Sequence, residues 1–310
     1  KEESELMDFL SIQNPHIIIN TTENIELNTR LTQAGHRVIQ PLGIENTRNK
    51  NTLSLPLPKQ EAFITALIDS KLSRKKATHL AKESGRSFSV LRRLTLPQVN
   101  QPGWAKSENA QFLIPALIAG QWDEDFEGDR AVLEEIAGKP YAEIVRKLHT
   151  FSANISDAPL YHFGKKWKLV SAFDAWVALS PFLSDQDYEC LDRVIDMVIH
   201  SDNPVLGLPA EDRPFALIQG IKANYSTRIR KGLIQTLILI ALHNTTERRG
   251  DIRYGQAWVN KIIYRIMERD EKQYWQTLDD IMPLLAEASP DSFLKVLDAA
   301  LGKDDSAIAA

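Results

Sequence analysis

The chain has 310 residues, of which 43% are hydrophobic, 25% charged and 8% aromatic, a composition that excludes disordered and fibrous classes and a single small module. At roughly 100 to 200 residues per domain, this length holds two or three domains with cores of their own. Lys and Arg number 37 against 41 Asp and Glu, a net charge of -4, so nonspecific nucleic-acid binding driven by an overall basic excess is excluded and any such contact needs a local patch.

The opening stretch KEESELMDFL reads neither as a signal peptide nor as a natural start, which leads us to expect a piece of a larger protein. A helix is expected over 5–12. Residues 16–22, HIIINTT, form a β-branched run bounded by Pro15 and by the polar stretch 23–28, the pattern of a buried strand ending in hydroxyls. Residues 36–42 and 52–57 read as two more extended segments punctuated by Gly35, Gly43 and prolines. Three such segments do not close a sheet, so 1–58 is expected to be the tail of an α/β domain.

From Lys59 the period changes from two to about 3.6, with Ala62, Phe63, Ala66 and Leu67, then Ala77, Leu80 and Ala81, then Phe88, Leu91 and Leu94 on successive faces. Three short helices follow, with Ser73 and Ser87 as N-caps and Gly85 as a stop. They make a helical unit over 59–100, and 96–109, with its prolines, glycine and amides, reads as an interdomain linker. Helices at 109–120, 129–137 and 141–153 precede Leu160, His162 and the segment 167–170, which flank a Gly164-Lys165-Lys166 turn and predict a hairpin. Three helices followed by two strands is the order of a winged helix, assigned to 101–171.

From 172 to 310 every apolar stretch is helical: 173–183, 185–200, 213–223, 227–242, 256–267, 273–288 and 290–301, joined by short turns without a strict repeat period, predict an α-helical bundle or solenoid. The one cysteine, Cys190, excludes a disulfide framework and fits a reducing, cytoplasmic setting. The longest strongly apolar run, 232–242, is broken by Gln235 and Thr236 and is about half of the roughly 20 residues a membrane helix needs. The fold class expected is therefore mainly α, with no membrane span.

Catalytic signatures are missing. The sequence has no phosphate-binding G-x-x-x-x-G-K-[ST] loop, no strand-linked G-x-G-x-x-G, no H-E-x-x-H and no G-x-S-x-G. His16, His36, His79, His149, His162, His200 and His243 never fall two to five apart, and no metal site is expected. Asp123, Glu124, Asp125 and Glu127 lack the alternating spacing of a calcium loop and read as a solvated acidic turn. Among the basic clusters, Arg228-Arg230-Lys231 and Arg248-Arg249-Arg253 read as solvated faces, whereas Lys165, Lys166 and Lys168 on the wing are candidates for nucleic-acid contact. Arg92 and Arg93 stand apart, because they lie on an apolar-faced helix directly after the Gly85-Arg86-Ser87 turn, downstream of a strand ending in Thr21 and Thr22.

The segment 72–97, LSRKKATHLAKESGRSFSVLRRLTLP, together with 104–148, resembles the lid and winged helix of large bacterial STAND NTPases, most closely the antiviral type. Stretches 159–179 and 283–301 are similar to regions that follow the ATPase in such proteins. The pair G-R-S-x-x-x-L-R-R, residues 85–93, and L-I-P-A-L-I-A-G-x-W-D, residues 113–123, carries the likeness, although related ATPases place a Gly-x-Pro turn where this chain has Gly85-Arg86-Ser87. The resemblance implies a sensor protein with an upstream ATPase and effector, ATP or ADP with Mg bound by the whole protein, a phage protein as trigger, and a homo-oligomer on activation. It also implies nucleotide-sensing roles for Arg92 or Arg93 in the lid, for the Gly85-Arg86-Ser87 turn, and for Thr21 or Thr22 at the strand end. The chain itself would neither catalyse nor hold nucleotide strongly. The rival expectation is a winged-helix DNA-binding regulator with a helical ligand or dimerisation domain.

Overall fold

The computed structural model describes residues 15–19, 25–39, 58–96, 102–152, 157–209, 211–216, 218–243, 254–269 and 271–302. The chain divides into two compact units, Lys1–Leu55 and Pro56–Ala310. In the first, strand β1 (Ile17–Ile19) pairs in parallel with β2 (Arg37–Ile39), Ile18 opposite Val38, and helix α1 (Ile25–Gln33) lies between them in sequence. A crossover element is what a parallel pair needs. Helix α1 corrects our reading of 23–28 as a polar boundary: Leu27 and Leu31 stand four apart, and Leu31 is buried. The expected helix over 5–12, the strand over 52–57, Thr21 and Thr22 lie outside the described residues.

The second unit begins with three short helices, α2 (Gln60–Asp69), α3 (Arg74–Glu83) and α4 (Phe88–Thr95). The serines cap as the sequence predicts. Ser73 accepts from the Lys76 amide and Ser87 from the Val90 amide, satisfying donors that the first helical turn leaves unpaired. These helices bury little of their own: Ile64, Ala77 and Ala81 form a small cluster with Phe63, Leu67, Ile68 and Leu72 packed around it.

Residues 96–109 are not a linker throughout. Trp104 and Ala105 are buried in the main core, and helix α5 (Ser107–Ala119) has begun before Asn109. After α5 come β3 (Gln121–Asp123), α6 (Glu127–Ala137), α7 (Tyr141–His149), β4 (Leu160–Phe163) and β5 (Lys166–Leu169). The expected hairpin is present, turned at Gly164 with φ +62°. Strand β3 was not expected; it joins the far side of β5 in an antiparallel sheet of order β3-β5-β4, with Trp122 opposite Trp167. Three residues are too few to show an alternating pattern in sequence.

The helical region contains α8 (Ala172–Leu179), α9 (Asp185–Ile199), α10 (Thr227–His243), α11 (Gln256–Met267), α12 (Lys272–Leu278), α13 (Met282–Ala288) and α14 (Pro290–Leu301). Two expectations need correction. The helix predicted over 213–223 is only a 3-10 turn at Arg213–Phe215, and Gly220 takes a left-handed φ of +74° a few residues on. The helix predicted over 273–288 breaks after Leu278, and Pro283 enters at the first turn of the next helix, where its missing N–H is harmless. The architecture is mainly α.

One hydrophobic core runs from Trp104 to Ala300, taking in the sheet, α5 to α7 and the helical array. Helix α10 is its axis, with Leu233, Ile234, Leu237 and Ile240 fully buried. It crosses the end of α5 where two glycines meet: a Cβ on Gly232 would lie 2.0 Å from the Ala119 carbonyl oxygen, so only glycine permits the approach. Four residues on, the Thr236 hydroxyl reaches the Ile118 carbonyl at 3.0 Å. The apolar run 232–242 is thus a core helix, and no helix among the described residues is long and apolar enough to cross a membrane.

Candidate functional site

The turn singled out by sequence joins α3 to α4 and is pinned to the body of the unit. Gly85 has φ +56°, and a Cβ there would sit 1.9 Å from the Val170 carbonyl oxygen. Next to it the Ser171 hydroxyl donates to the Glu83 carbonyl. Arg86 also occupies the left-handed region, with φ +64°, a conformation that costs a non-glycine residue about 1 kcal/mol or more. The fully buried Ser84 supports it by accepting from the Arg86 amide at 3.2 Å, and one guanidinium nitrogen donates to the Pro58 carbonyl at 3.0 Å. Ser87 spends its hydroxyl on capping α4.

Arg92 and Arg93 part company. Arg92 is exposed on α4. Arg93 is enclosed by two carboxylates: Nε and Nη2 donate to Asp174 at 3.0 and 2.7 Å, and Nη2 and Nη1 donate to Asp157, the first at 3.2 Å. Burial alone would disfavour its charge, but the two aspartates outweigh that and hold the guanidinium above its ordinary pKa. Arg93 is thus a fastening residue, and of the two arginines only Arg92 is an exposed charge. Asp174 is itself on the first turn of α8, whose N-cap is the Ser171 that also grips Glu83. The ionic clamp and the glycine contact therefore fasten α3 and α4 to one place on the body.

The acidic turn after β3 is structural rather than solvated. Glu124 Oε1 accepts from Trp167 at 2.7 Å and from the Tyr141 hydroxyl at 2.9 Å, and that hydroxyl accepts from Trp122 at 2.9 Å. Asp129, with no exposed surface, accepts from the Asp123 amide, the Ser226 amide and the Ser226 hydroxyl at 2.9, 2.9 and 2.6 Å. Burial lifts its carboxyl pKa, and the bonds from Ser226 and Asp123 oppose that rise. Asp125 and Glu127 remain exposed. No group of His, Cys, Asp or Glu among the described residues is arranged to hold a metal ion.

The lysines of the β4–β5 hairpin also divide. Lys165, in the turn, is exposed and lies 3.9 Å from the largely covered Glu124, a loose pair. Lys166 is exposed on β5, opposite Phe163 and Asp123. Lys168 stands between Gln121 of β3 and Tyr161 of β4, on the sheet face turned away from the stacked Trp122 and Trp167. Lys168 too is exposed; desolvation lowers its pKa, and the charges of Arg228 and Arg86 lower it further. The sequence had placed Arg228 and Arg230 in one solvated cluster. Instead Arg230 is buried and bound to Asp280 and to the Val198 and Thr277 carbonyls, while Arg228, one helical turn before Gly232, is half-buried. Arg248, Arg249 and Arg253 lie outside the described residues.

Comparison with protein-family models, with curated proteins and with solved structures gave no match. The functional reading rests on the residues themselves.

Proposed function

We propose that this chain is the regulatory segment of a STAND-type NTPase, coupling recognition of a phage component by a C-terminal helical array to nucleotide-dependent oligomerisation and effector activation. Support comes from the order of parts. A parallel strand pair is followed by three short helices carrying G-R-S-x-x-x-L-R-R, then by helices and a three-stranded sheet in winged-helix order, then by a helical array. The observation that carries the reading is the shared core from Trp104 to Ala300. Because packed interiors transmit displacement rather than absorb it, a force on the array reaches the sheet, and the Arg93 clamp passes it to α4.

In this reading ADP, held with Mg by an upstream core, favours the closed arrangement, and trigger binding shifts the population toward an ATP-bound oligomer. Arg92, exposed beside the clamp, is the lid residue left to sense phosphate; Arg93 positions it. The chain has no phosphate loop with which to position a transferring phosphoryl group, so its own ATPase activity is expected to be zero. The test is the natural reading frame together with the whole protein. A phosphate-binding loop encoded upstream, and an Arg92→Ala protein that folds but no longer oligomerises with ATP and trigger, support the proposal. A reading frame starting near Met7, or oligomerisation and phage protection unaffected by Arg92→Ala, refutes it.

The DNA-binding alternative draws on Lys166 and Lys168, neither of which is paired with a carboxylate among the described residues. It requires a recognition helix, and α7 buries Ile144 and Leu148 while Glu143 is tied to Lys139 at 3.4 Å. Nanomolar, sequence-selective duplex binding at physiological salt would favour it over the first reading.

A further inference from the structure

Helices α5 and α7 and the turn that leads into α7 enclose a cavity of about 140 Å³ on the surface of the body. Its floor is apolar, made by Phe112 and Pro115 from α5, Ala137 from the end of α6 and Ile144 from α7. Pro115 and Ile144 are buried, while Phe112 and Ala137 keep part of their surface open. Apolar surface in a concave site is surface that an incoming group can still take out of water. The volume is well below the ~300 Å³ at which pockets begin to take whole small ligands, and it suits one side chain.

Charge frames this floor. The Lys147 ammonium lies 5.3 Å from the centre of the Phe112 ring and the Lys139 ammonium 5.7 Å from it, both within the range at which the negative face of a ring attracts a cation. Glu143 stands four residues from each lysine, and its carboxylate goes to Lys139 at 3.4 Å. One acid thus serves two cations, and Lys147 is the one left over. Helix α5 adds a backbone group: Pro115 lies inside the helix and has no N–H for the Gln111 carbonyl one turn before it, and both residues line the cavity. The rim therefore carries an ammonium without its acid and a carbonyl without its usual helical donor.

We propose that this pocket is a docking site for an acidic peptide segment of a partner protein. A leucine-sized side chain would sit on the floor, a neighbouring carboxylate would meet Lys147, and a peptide N–H would donate to the Gln111 carbonyl. Charge complementarity selects this occupant: a basic segment would be repelled at the rim, and a nucleic acid would meet the lysines with phosphates but leave the apolar floor uncovered. The site lies wholly within Pro56–Ala310 and does not depend on the regulatory reading above.

Nuclear magnetic resonance titration of the methyl-labelled 310-residue chain with the end-blocked peptide Asp-Asp-Leu-Asp-Asp, at constant ionic strength, tests this. Saturable shifts of the Ile144 and Ala137 methyl groups are expected, with affinity reduced about tenfold or more when alanine replaces the leucine of the peptide or when the protein carries Lys147→Glu. Lys147→Arg should retain binding, and Lys147→Glu should bind Lys-Lys-Leu-Lys-Lys better than the wild type does. Lys261→Glu, the same change of charge on the exposed face of α11, should leave the affinity for the acidic peptide unchanged. The alanine peptide alters nothing in the protein, so it separates binding from folding. Absence of saturable shifts, equal affinity for the leucine and alanine peptides, or equal weakening by Lys261→Glu overturns the proposal, as does duplex DNA that shifts the same methyl groups at a lower concentration than the peptide.

Discussion

The segment α2 to α4 and the body from Trp104 to Ala300 belong to one compact unit but are held in opposite ways. The body is stabilised by burial: fully buried Leu, Ile and Trp side chains from α5, the sheet and α10 form a continuous interior, and removing any large one leaves a cavity. The segment has three buried residues in its cluster, two of them alanines, with Leu80 and Val90 buried besides, and its named fastenings are the Arg93 clamp, the Ser171 bond to Glu83, the Gly85 contact and the exposed Lys82–Glu287 pair. Apolar burial is nondirectional and cooperative, whereas a few polar bonds can be exchanged for others. That difference predicts local opening of the segment ahead of the body.

Variants can separate the two. The largest effect belongs to Asp129→Ala in the body, which leaves two backbone amides and a hydroxyl without their acceptor in a dry site; we expect a loss of about 4 kcal/mol in global stability by denaturant titration. Gly232→Ala comes next, at about 3 kcal/mol, since its methyl group must displace the Ala119 carbonyl. Gly85→Ala creates an equally severe overlap with Val170 but should act locally. All 6 tryptophans lie beyond residue 103, so near-ultraviolet dichroism should retain the wild-type melting curve while proteolysis within 58–96 accelerates. A matching loss of global stability in Gly85→Ala would erase the distinction between the regions.

The smallest effect is a pH dependence. His243, at the end of α10 and 4.8 Å from the Phe173 ring, has its pKa lowered by partial burial, with Glu83 opposing. A histidine whose folded pKa lies below its unfolded value near 6.5 contributes stability that is present above that value and is lost as pH falls through the folded pKa. Partial exposure keeps the change small, about one degree in melting temperature between pH 7.5 and 5, and His243→Gln should remove that component.

Much of the helical architecture was legible because local chemistry sets it. The periods of α11 and α14 gave their ends directly, and Ser73 and Ser87 cap as their positions require. Where length failed, so did the reading: β3 is three residues, and α1 hides Leu31 in a polar stretch. The continuity of the core across 171 has no sequence signal, since burial patterns say which face is covered and not by what. The candidate site shows the same limit. The Gly85-Arg86-Ser87 turn stood out, but Arg93 binds carboxylates 64 and 81 residues away, and Arg230, read from sequence as a solvated charge, is buried against Asp280. Pairing is a property of the fold.

Hydrogen exchange on the chain, with and without Arg93→Ala, tests most directly whether the segment is secured by its ionic clamp while the body stands alone. The account predicts that amides of α3 and α4 exchange through a local opening far cheaper than global unfolding, that Arg93→Ala raises their rates about tenfold or more, and that amides within 113–118 and 233–240 keep their wild-type protection. Equal protection of segment and body in the wild type, or a uniform loss across both in the variant, would contradict it.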